Sequence, residues 1–438
     1  MHEPVSHWAL RGLYSLVLRL ALPASLYYLI WRGLRQREYF DRWSERFALY
    51  RGDGLDDCLW VHAVSVGEVN AAAPLIDAMR RRYPARTFLV TTTTPTGSAR
   101  VRALWGDAVR HVYLPYDLPG AMRNFLDHFE PRLAVVMETE LWPNMFAELD
   151  RRGIPLLIAN ARLSRRSLRG YRPIAPLVRN AVATADVVGA QSEADAQRYR
   201  WLGAREDAVR VTGNLKFDMD VADDLAGQAA AWRAAWGDRP TWIAASTHPD
   251  EEEPVLRAHR DVLAQRPDAL LLWAPRHPER FGAAVHAAER AGLRVQSRRG
   301  HTLPDPDAQV FVVDTLGELM AFYAASDVAF VGGSLQEVGG HNLLEPAALG
   351  VPALVGPHTF NFQEITALLL DVGAVRRVAN ADELAAGVLR WLGDAGDRRR
   401  CGDAGRLRID AERGALARTL ALVDACLEGS AAQPSLKS

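Results

Sequence analysis

The 438-residue sequence has few cysteines and almost no net charge, and each scarcity excludes a class of protein. Its three cysteines, Cys58, Cys401 and Cys426, lie far apart and form no CxxC pair. This spacing argues against a zinc ribbon and against a disulfide framework, and it fits a reducing compartment. A net charge of −1 gives no overall attraction for nucleic acid, so we expect no nucleic-acid partner.

The common cofactor and metal motifs are also missing. The sequence contains no HExxH and no GxxxxGK[ST], and its glycine-rich loop at 332–340 lacks GxGxxG spacing. Asp218-Met219-Asp220 and Asp305-Pro306-Asp307 have the DxD spacing of metal-binding pairs, but neither directly ends a predicted strand. We therefore expect no metal, no NAD and no other cofactor.

One long apolar run is present near the N-terminus. Leu13 to Trp31 carries a single charge, Arg19, and as a helix would be roughly 28 Å long, about the thickness of a bilayer core. Arginines crowd the residues that follow it, which by the positive-inside rule keeps the bulk of the chain cytoplasmic. No small-residue cleavage site follows, which argues against a signal peptide.

Arg19 and Pro23 weaken the case for a helix that crosses the membrane. A mid-membrane arginine costs roughly 3 kcal/mol on insertion scales, and a proline can kink the helix. Three arrangements stay open: a spanning anchor, a helix in the membrane plane, and a buried helix of the first domain. We favour a membrane anchor or an in-plane helix that faces the cytoplasm.

Apolar strands alternate with helices through both halves of the chain, and 49% of the residues are hydrophobic. This pattern predicts two consecutive α/β domains, each with a parallel, doubly wound sheet and helices on both faces. The predicted organisation is an anchor helix at 1–34, a first domain at 35–218, a second domain at 219–427 that includes returning C-terminal helices, and a disordered tail at 428–438.

Polar residues follow several predicted strands of the first half. Glu68 lies in the first turn of a helix after the strand Leu59–Ser65, where ligands of open α/β sheets bind. It is either a general base or a carboxylate that complements the helix dipole. Glu138 and Glu140 end another strand, and one of them could bind a substrate or balance a lysine. Lys216 lies at the end of this half, where a cleft would form.

Arginines mark two further candidate sites. Five arginines and no acid occur between Arg162 and Arg172, which is either a solvated helix face or a surface for a phosphate-bearing substrate or anionic lipid. In the second half, Arg276 and His277 follow the predicted strand Leu270–Ala274. A guanidinium there suits a phosphate or pyrophosphate group, which it can bind with paired hydrogen bonds.

The stretch from Phe330 to Gly356 predicts a strand, a glycine-rich loop, a short helix and a second strand. We place the helix at Leu343–Leu349, after Gly332-Gly333. Its free backbone N–H groups and dipole would hold an anion, and Glu345 could accept hydrogen bonds from sugar hydroxyls. The alternative is a tight strand–helix connection that binds no ligand.

These motifs together resemble the bacterial 3-deoxy-D-manno-octulosonic acid (Kdo) transferases, which are glycosyltransferases of lipopolysaccharide assembly. The likeness covers the chain from about residue 10 to 425 and rests on seven motifs in order. The motifs are Ser65-Val-Gly-Glu68, Glu138-Thr-Glu-Leu-Trp-Pro-Asn144, Asn160-Ala-Arg-Leu-Ser164, Gly213-Asn-Leu-Lys-Phe-Asp218, Ala274-Pro-Arg-His277, Gly332-Gly-Ser334 through Glu345, and Gly356-Pro-His-Thr-Phe-Asn-Phe362.

The resemblance implies a GT-B fold with two Rossmann-like domains facing a cleft, plus the N-terminal membrane helix. The donor would be CMP-Kdo and the acceptor the phosphorylated tetraacyldisaccharide precursor of lipid A (lipid IVA). Transfer would be inverting and metal-independent and would release CMP. The enzyme would work on the lipid surface at the cytoplasmic side of the cell inner membrane, in lipopolysaccharide core biosynthesis.

The resemblance also implies roles for individual residues. Glu68 would be the proton acceptor, while Glu138 and Lys216 would act on the transition state. Leu343 departs from a proline that we expect in some relatives, which leaves Glu345 in place. The residues that would contact CMP are Pro275, Arg276, Gly317, Glu318, Leu319, Asn342, Leu343, Leu344 and Glu345.

Two alternatives belong to other functional classes. A GT-B epimerase acting on a nucleotide sugar would need no lipid acceptor, and the N-terminal helix and arginine cluster argue against it. A non-catalytic, membrane-docked nucleotide-sugar binder would not need Glu68, Glu138 and Lys216 together. The sequence leaves open how many Kdo residues are added, the acylation of the acceptor and the oligomeric state.

Overall fold

The computed structural model describes residues 5–219, 221–222, 224–300 and 303–431. The chain forms two compact units: the first takes the chain up to Asp218 and again from Arg413, and the second is Met219–Glu412. Each unit contains one seven-stranded sheet whose neighbouring strands all pair in parallel. The predicted α/β class is therefore confirmed for both halves.

The elements of the first unit before Asp218 are α1 (Val5–Arg35), β1 (Cys58–His62), α2 (Val66–Arg82), β2 (Phe88–Thr92), α3 (Pro95–Trp105), β3 (Arg110–Tyr113), α4 (Pro119–Phe129), β4 (Pro131–Met137), α5 (Pro143–Arg152), β5 (Leu156–Ala161), α6 (Arg165–Tyr171), α7 (Ala175–Ala183), β6 (Val187–Ala190), α8 (Glu193–Trp201) and β7 (Val209–Val211).

The first sheet has the strand order β3-β2-β1-β4-β5-β6-β7. Side chains alternate between its two faces: Cys58 and Trp60 of β1 enter one buried cluster, whereas Leu59 and Val61 enter another. Both faces are therefore covered by helices, as a parallel sheet requires. The chain builds outward from β1 to β3 and then returns with β4 on the other side of β1. The strand order thus reverses between β1 and β4.

The elements of the second unit are α9 (Leu225–Trp236), β8 (Thr241–Thr247), α10 (Glu252–Gln265), β9 (Leu270–Pro275), α11 (Phe281–Arg290), β10 (Val295–Ser297), β11 (Val310–Val312), α12 (Leu319–Ala324), β12 (Val328–Val331), α13 (Leu344–Ala348), β13 (Ala353–Val355), α14 (Gln363–Asp371), β14 (Val375–Arg377), α15 (Ala381–Gly393) and α16 (Ala395–Glu412), after which α17 (Ala415–Ala431) belongs to the first unit.

The second sheet has the order β10-β11-β9-β8-β12-β13-β14, so its strand order reverses between β8 and β12. Its core includes Trp242, Trp273, Phe330 and Trp391, all fully buried. Two short edge strands, β10 and β14, were not predicted. At β14, two exposed arginines in a three-residue strand hide the strand pattern.

The last helix corrects the predicted domain boundaries. We placed residues up to 427 in the second domain, but α17 buries Ala415, Val423 and Cys426 in the core of the first sheet. Asp218 fixes its start, since the carboxylate accepts the backbone N–H groups of Gly414 at 2.7 Å and Leu416 at 2.5 Å. The predicted disordered tail is also wrong for 428–431, which are helical, and 432–438 lie outside the described residues.

The apolar N-terminal run lies within α1, a single 31-residue helix that passes through Pro23. By length and composition, Trp8–Arg35 could cross a membrane, and only 11% of its most apolar window is buried. One side packs on the first unit: Tyr14 donates to Asp117 Oδ2 at 3.1 Å, and Ser15 donates to Asn144 Oδ1 at 3.2 Å. The arrangement as a buried core helix is therefore excluded. Residues 1–4 of the predicted anchor lie outside the described residues.

Candidate active-site residues in the two units

Glu68 lies where the strand order of the first sheet reverses. Helix α2 begins at Val66, directly after the turn that follows β1, so Glu68 falls in its first turn. The Oε2 atom of Glu68 accepts the backbone N–H of Val64 at 2.6 Å, which folds the side chain back over the end of β1. Ligands of open α/β sheets bind at such a reversal, beyond the carboxyl ends of the strands.

The surroundings of Glu68 favour its protonated form. Burial raises the pKa of this carboxyl to about 8; the Val64 hydrogen bond lowers it, the negative charges of Glu140 and Glu138 raise it, and Lys216 lowers it. A general base works best when its pKa lies near the working pH. Glu68 therefore has the electrostatic setting of a proton acceptor, which a carboxylate that merely caps a helix does not need.

Glu138 follows β4, the strand on the other side of the reversal. Its backbone is left-handed, with φ of 55°, and its carbonyl oxygen accepts the hydroxyl of Tyr199 at 2.8 Å. The Nζ atom of Lys216 lies 4.0 Å from Glu138 Oε1. The neighbouring Glu140 instead accepts the indole N–H of Trp142 at 3.0 Å. Of the two carboxylates, it is Glu138 that pairs with the lysine.

Asn160 organises this edge of the sheet and was not singled out from the sequence as a functional residue. It lies near the end of β5, fully buried, with a left-handed φ of 53°. Its Oδ1 accepts the backbone N–H of Leu215 at 3.0 Å, and Asn214 Oδ1 accepts that of Lys216 at 3.0 Å. The two asparagines thus fix the turn that carries Lys216. A left-handed backbone is rare outside glycine and asparagine, but the sequence alone does not show that Asn160 adopts it.

The arginine-rich segment forms α6 and the turn after it. Arg165, Arg166, Arg169 and Arg172 are exposed, and Ser164 caps the helix by accepting the N–H of Ser167 at 3.0 Å. Exposed guanidinium groups on a short, capped helix are available to phosphate-bearing ligands.

In the second unit, the predicted nucleotide residues lie at or after the carboxyl ends of three strands, β9, β11 and β12. Pro275 is the last residue of β9, and the backbone N–H of Arg276 donates to the carbonyl of Thr247 at 3.0 Å. The Arg276 side chain is exposed. A fixed backbone with a free guanidinium suits recognition of an anionic group.

The glycine-rich loop differs from the prediction in one respect. The backbone N–H groups of Gly333, Ser334 and Leu335 are not free, because they donate to the carboxylate of Glu251 at 2.6, 3.0 and 2.9 Å. Glu251 is fully buried and also accepts the N–H of His248 at 3.0 Å. The anion held by these amides is therefore the protein's own carboxylate, and an incoming ligand must use groups further along the loop.

Those groups lie at 342–345. The helix α13 starts at Leu344, whose N–H donates to Asn342 Oδ1 at 3.1 Å, while Asn342 Nδ2 donates to Glu345 Oε1 at 3.0 Å. Leu343 is buried, so only its backbone can meet a ligand. Burial raises the pKa of the Glu345 carboxyl, and the Asn342 hydrogen bond opposes that shift. Asn342 and Glu345 thus form one polar unit.

The third predicted group, Gly317 to Leu319, leads into α12, which begins at Leu319. Gly317 has φ of 89° and is exposed, as a tight turn requires. The Glu318 carboxylate accepts hydrogen bonds from two nitrogens of Arg298, the shorter of them 2.6 Å long. It also accepts one from the hydroxyl of Thr315 at 2.5 Å. These partners lower the pKa of Glu318, with the Arg298 hydrogen bonds as the main cause. Its side chain is therefore already engaged.

Comparison with known proteins shows which protein families and which individual proteins this chain is similar to. A family model described as 3-Deoxy-D-manno-octulosonic-acid transferase (kdotransferase) matches residues 41–219, and one described as Glycosyl transferases group 1 matches 305–408. A 3-deoxy-D-manno-octulosonic acid transferase of Haemophilus influenzae is 41% identical over 425 residues, which are 95% of this chain and 99% of that protein. One of Bordetella pertussis is 39% identical over 427 residues, 94% and 98% of the two chains.

A solved glycosyltransferase from Rickettsia africae aligns over 85% of this chain and 99% of its own, with a TM-score of 0.53 and 14% identity. At that identity the likeness concerns the fold alone. It agrees with a GT-B arrangement of two α/β units, and leaves the chemistry to the residues described above.

Proposed function

Because the chain belongs to the 3-deoxy-D-manno-octulosonic acid transferase family and is a Kdo transferase, we propose that it moves Kdo from CMP-Kdo to the tetraacyldisaccharide precursor of lipid A and releases CMP. The observation that carries this proposal is the setting of Glu68, a carboxyl with a raised pKa beside Glu138 and Lys216. A transfer to a sugar hydroxyl needs one group to remove the hydroxyl proton, and this setting supplies it.

In the proposed mechanism, Glu68 accepts the proton of the acceptor hydroxyl as the Kdo carbon gains positive charge. Attack from the face opposite the leaving CMP inverts the configuration of that carbon. Lys216 lies 4.0 Å from Glu138, and the pair stabilises charge that develops near Glu68 during transfer. Glu138 offsets the positive charge of the lysine and, after burial and Glu140, adds to the causes that raise the Glu68 pKa.

The second unit would hold the nucleotide. The exposed guanidinium of Arg276 neutralises phosphate charge as CMP leaves, a task that needs no metal ion. The linked pair Asn342 and Glu345 accepts and donates hydrogen bonds to the ribose or base. Since its carboxylate is bound to Arg298 and Thr315, Glu318 would contribute mainly through the backbone of the turn 317–319.

The acceptor is a lipid, so the enzyme must reach a membrane surface, and we propose that α1 lies in the plane of that membrane. Tyr14 and Ser15, within its apolar half, are hydrogen-bonded to the first unit, which a lipid-surrounded spanning helix could not maintain. The opposite side exposes a band of apolar side chains that suits the interface between headgroups and acyl chains. The band comprises Trp8, Leu13, Leu16, Val17, Leu20, Tyr27, Tyr28, Ile30, Trp31 and Leu34.

Arginines near this band support the cytoplasmic face of an anionic membrane as its partner. Arg11 stacks over Trp8 at 5.0 Å and Arg35 over Trp31 at 4.0 Å, so cationic groups accompany the apolar surface at both ends of α1. The exposed arginines of α6 add a second cationic surface for the phosphates of the acceptor.

Incubation of the purified full-length chain with CMP-Kdo and the tetraacyldisaccharide, followed by mass spectrometry of the lipid, tests the proposal. We expect Kdo on the lipid and free CMP in solution, and the mass also counts the Kdo residues added. Glu68→Gln should yield no product yet still bind CMP, whereas Glu206→Gln, an exposed carboxylate of the same unit, should work normally. Conversion of the donor without acceptor would favour an epimerase, and normal transfer by Glu68→Gln would remove Glu68 as the base.

A further inference from the structure

Three histidines lie together at the reversal of the second sheet. His248 follows β8, His277 follows β9, and His341 lies in the loop after β12. The rings of His248 and His341 are parallel within 4°, with centroids 5.2 Å apart. His277 stands at 86° to His248 at the same centroid distance. Ligands of such sheets bind at this reversal, and the roles implied for neighbouring residues leave these three side chains unassigned.

The two parallel rings share a hydrogen bond between nitrogens. His248 Nε2 and His341 Nε2 are 2.9 Å apart, so one of them carries a proton and the other accepts it. Both cannot be protonated there, because two hydrogens would meet between them. The neutral pair therefore has one vacant acceptor, the Nδ1 atom of the donating ring. A proton added there creates an imidazolium whose Nε2–H still donates, now as a stronger charge-assisted bond.

The groups that face the pair keep it neutral in the free protein. Burial lowers the pKa of His341 to about 4, and Arg276, His248 and His277 act in the same direction. Burial also lowers the pKa of His248; Glu251 and Asp250 raise it, while His277 and Arg276 lower it further. The remaining charge is Glu279, 3.9 Å from His277. A bound anion would reverse this balance, since a nearby negative charge favours the protonated form.

The pair rests on a rigid support. Gly333 has φ of 66°, and a Cβ there would come within 2.8 Å of the His341 ring. Its N–H is held by Glu251, which also fixes the backbone of His248. Both rings are only partly buried, so a ligand can reach them. Within the described ranges, no group of three histidine, cysteine or acidic residues is arranged to hold a metal ion.

We propose that His248 and His341, with Arg276 and His277, form the subsite for the nucleotide phosphate, and that the histidine pair takes up one proton from solvent when the phosphate binds. This inference rests on the proposed nucleotide site. It assigns the phosphate to the place where the three histidine rings lie together near Arg276, rather than to the amides of the glycine-rich loop, which hold Glu251. Release of CMP returns the proton to solvent.

Calorimetry with CMP on the full-length protein tests the proton uptake. Between about pH 7 and 8 the CMP phosphate is largely a dianion, because its second pKa is about 6. If binding takes up one proton, the Kd of the wild type rises by up to about tenfold across that pH unit. Measurements in buffers of different ionisation enthalpy should independently give an uptake approaching one proton per CMP.

The variants His248→Gln and His341→Gln each remove one of the two rings, and with it the imidazole–imidazole hydrogen bond that would stabilise the added proton. We expect each to bind CMP more weakly at pH 7 and to lose most of the pH dependence. His286→Gln is the matched control, since His286 is exposed, in the same unit, and pairs with Glu289 at 2.9 Å away from the cluster. His286→Gln should keep the wild-type dependence of the Kd on pH, including any part that comes from the ionisation of CMP itself.

Two results would overturn the inference while leaving the proposed function intact. One is CMP binding to the wild type with a constant Kd and no proton uptake. The other is an unchanged slope in both glutamine variants. Failure of the wild type to bind CMP at any pH would instead overturn the proposed nucleotide site itself, so the two failures are distinguishable.

Discussion

Burial favours the protonated form of the Glu68 carboxyl, so in its proposed role as the base this group must lose a proton before it can act. Because burial raises its pKa to about 8, it is mostly protonated at lower pH and ionises as the pH rises through that value. We predict that kcat/KM, which reports the pKa of the free enzyme, falls about tenfold per pH unit below that pKa. Measuring kcat/KM from pH 6 to 9 tests this, and a flat profile would contradict a base with a raised pKa.

The charge of Glu138 contributes to that shift. Glu138→Gln removes a negative charge that raises the Glu68 pKa, so the acidic limb of the kcat/KM profile should move to lower pH. Glu193→Gln, an exposed carboxylate on α8 of the same unit, serves as the control and should leave the limb in place. An unmoved limb in Glu138→Gln would show that the two carboxylates are not electrostatically coupled.

At Asn160, two substitutions separate the side chain from the backbone. Asn160→Gly keeps the left-handed backbone but leaves the N–H of Leu215 unpaired, a loss of about 1–3 kcal/mol. Asn160→Ala adds roughly 1 kcal/mol, because alanine tolerates positive φ less well. We expect the free energy of unfolding to decrease from the wild type to Asn160→Gly and further to Asn160→Ala. Both variants should also have a lower kcat. Equal stability of the two variants would contradict the backbone contribution.

The sequence predicts a functional position where the signal is local in the chain, and it does not where the partners are distant in sequence. Glu68 is readable because an apolar run, a glycine and a helical pattern follow one another directly in the chain. Glu251 and His248 are not readable, because their partners in the loop lie 82 to 93 residues away. An acid-rich turn after a strand looks like ordinary helix capping until the fold brings the glycine-rich loop to it.

At the scale of elements, Glu251 decides the shape of the loop after β12. Glu251→Gln replaces one accepting oxygen with an amide that faces N–H donors, so the loop should lose its conformation. We predict at least tenfold weaker CMP binding by calorimetry and a lower melting temperature. Glu253→Gln, an exposed carboxylate on α10, should change neither. Wild-type CMP affinity in Glu251→Gln would remove its role in shaping the site.

The proposed in-plane placement of α1 predicts how its two ends react with a membrane-impermeant thiol reagent. Cysteines introduced singly at Trp8 and Leu34, both exposed, should be labelled from the same side of reconstituted, oriented vesicles. A spanning helix would expose them on opposite sides. The unmodified chain, whose Cys58 and Cys426 are buried, gives the background labelling.

Element bounds follow the sequence well where strands are central and poorly at the edges. β9 begins at the predicted residue, Leu270, and ends one residue beyond the predicted limit, at Pro275, since it is a buried apolar run. The edge strand β14 was missed because its arginines are exposed, so neither alternation nor an apolar run marks it. The tethered position of α1 was unpredictable for another reason: Asp117 and Asn144, its partners, lie more than 100 residues away.

For the whole molecule, the return of α17 predicts unequal effects of truncation. Ending the chain at Glu412 strips Ala415, Val423 and Cys426 from the core of the first unit and leaves the second unit's core complete. We expect the truncated protein to lose the first unit's cooperative melting transition while the second unit still binds CMP. Supplying 413–431 as a peptide should restore part of the transition. Unchanged melting after truncation would contradict the assignment of α17.

The same arrangement dictates an order of events on the ribosome. Domains usually mature from the N-terminus as synthesis proceeds at roughly 5–20 residues per second. Here the first unit begins synthesis first but receives its last structural piece, α17, only when translation is almost over. The second unit is encoded without interruption and can be complete while its predecessor still waits. A chain released before residue 415 would therefore carry a complete second unit together with an open hydrophobic sheet of the first unit that needs chaperone protection.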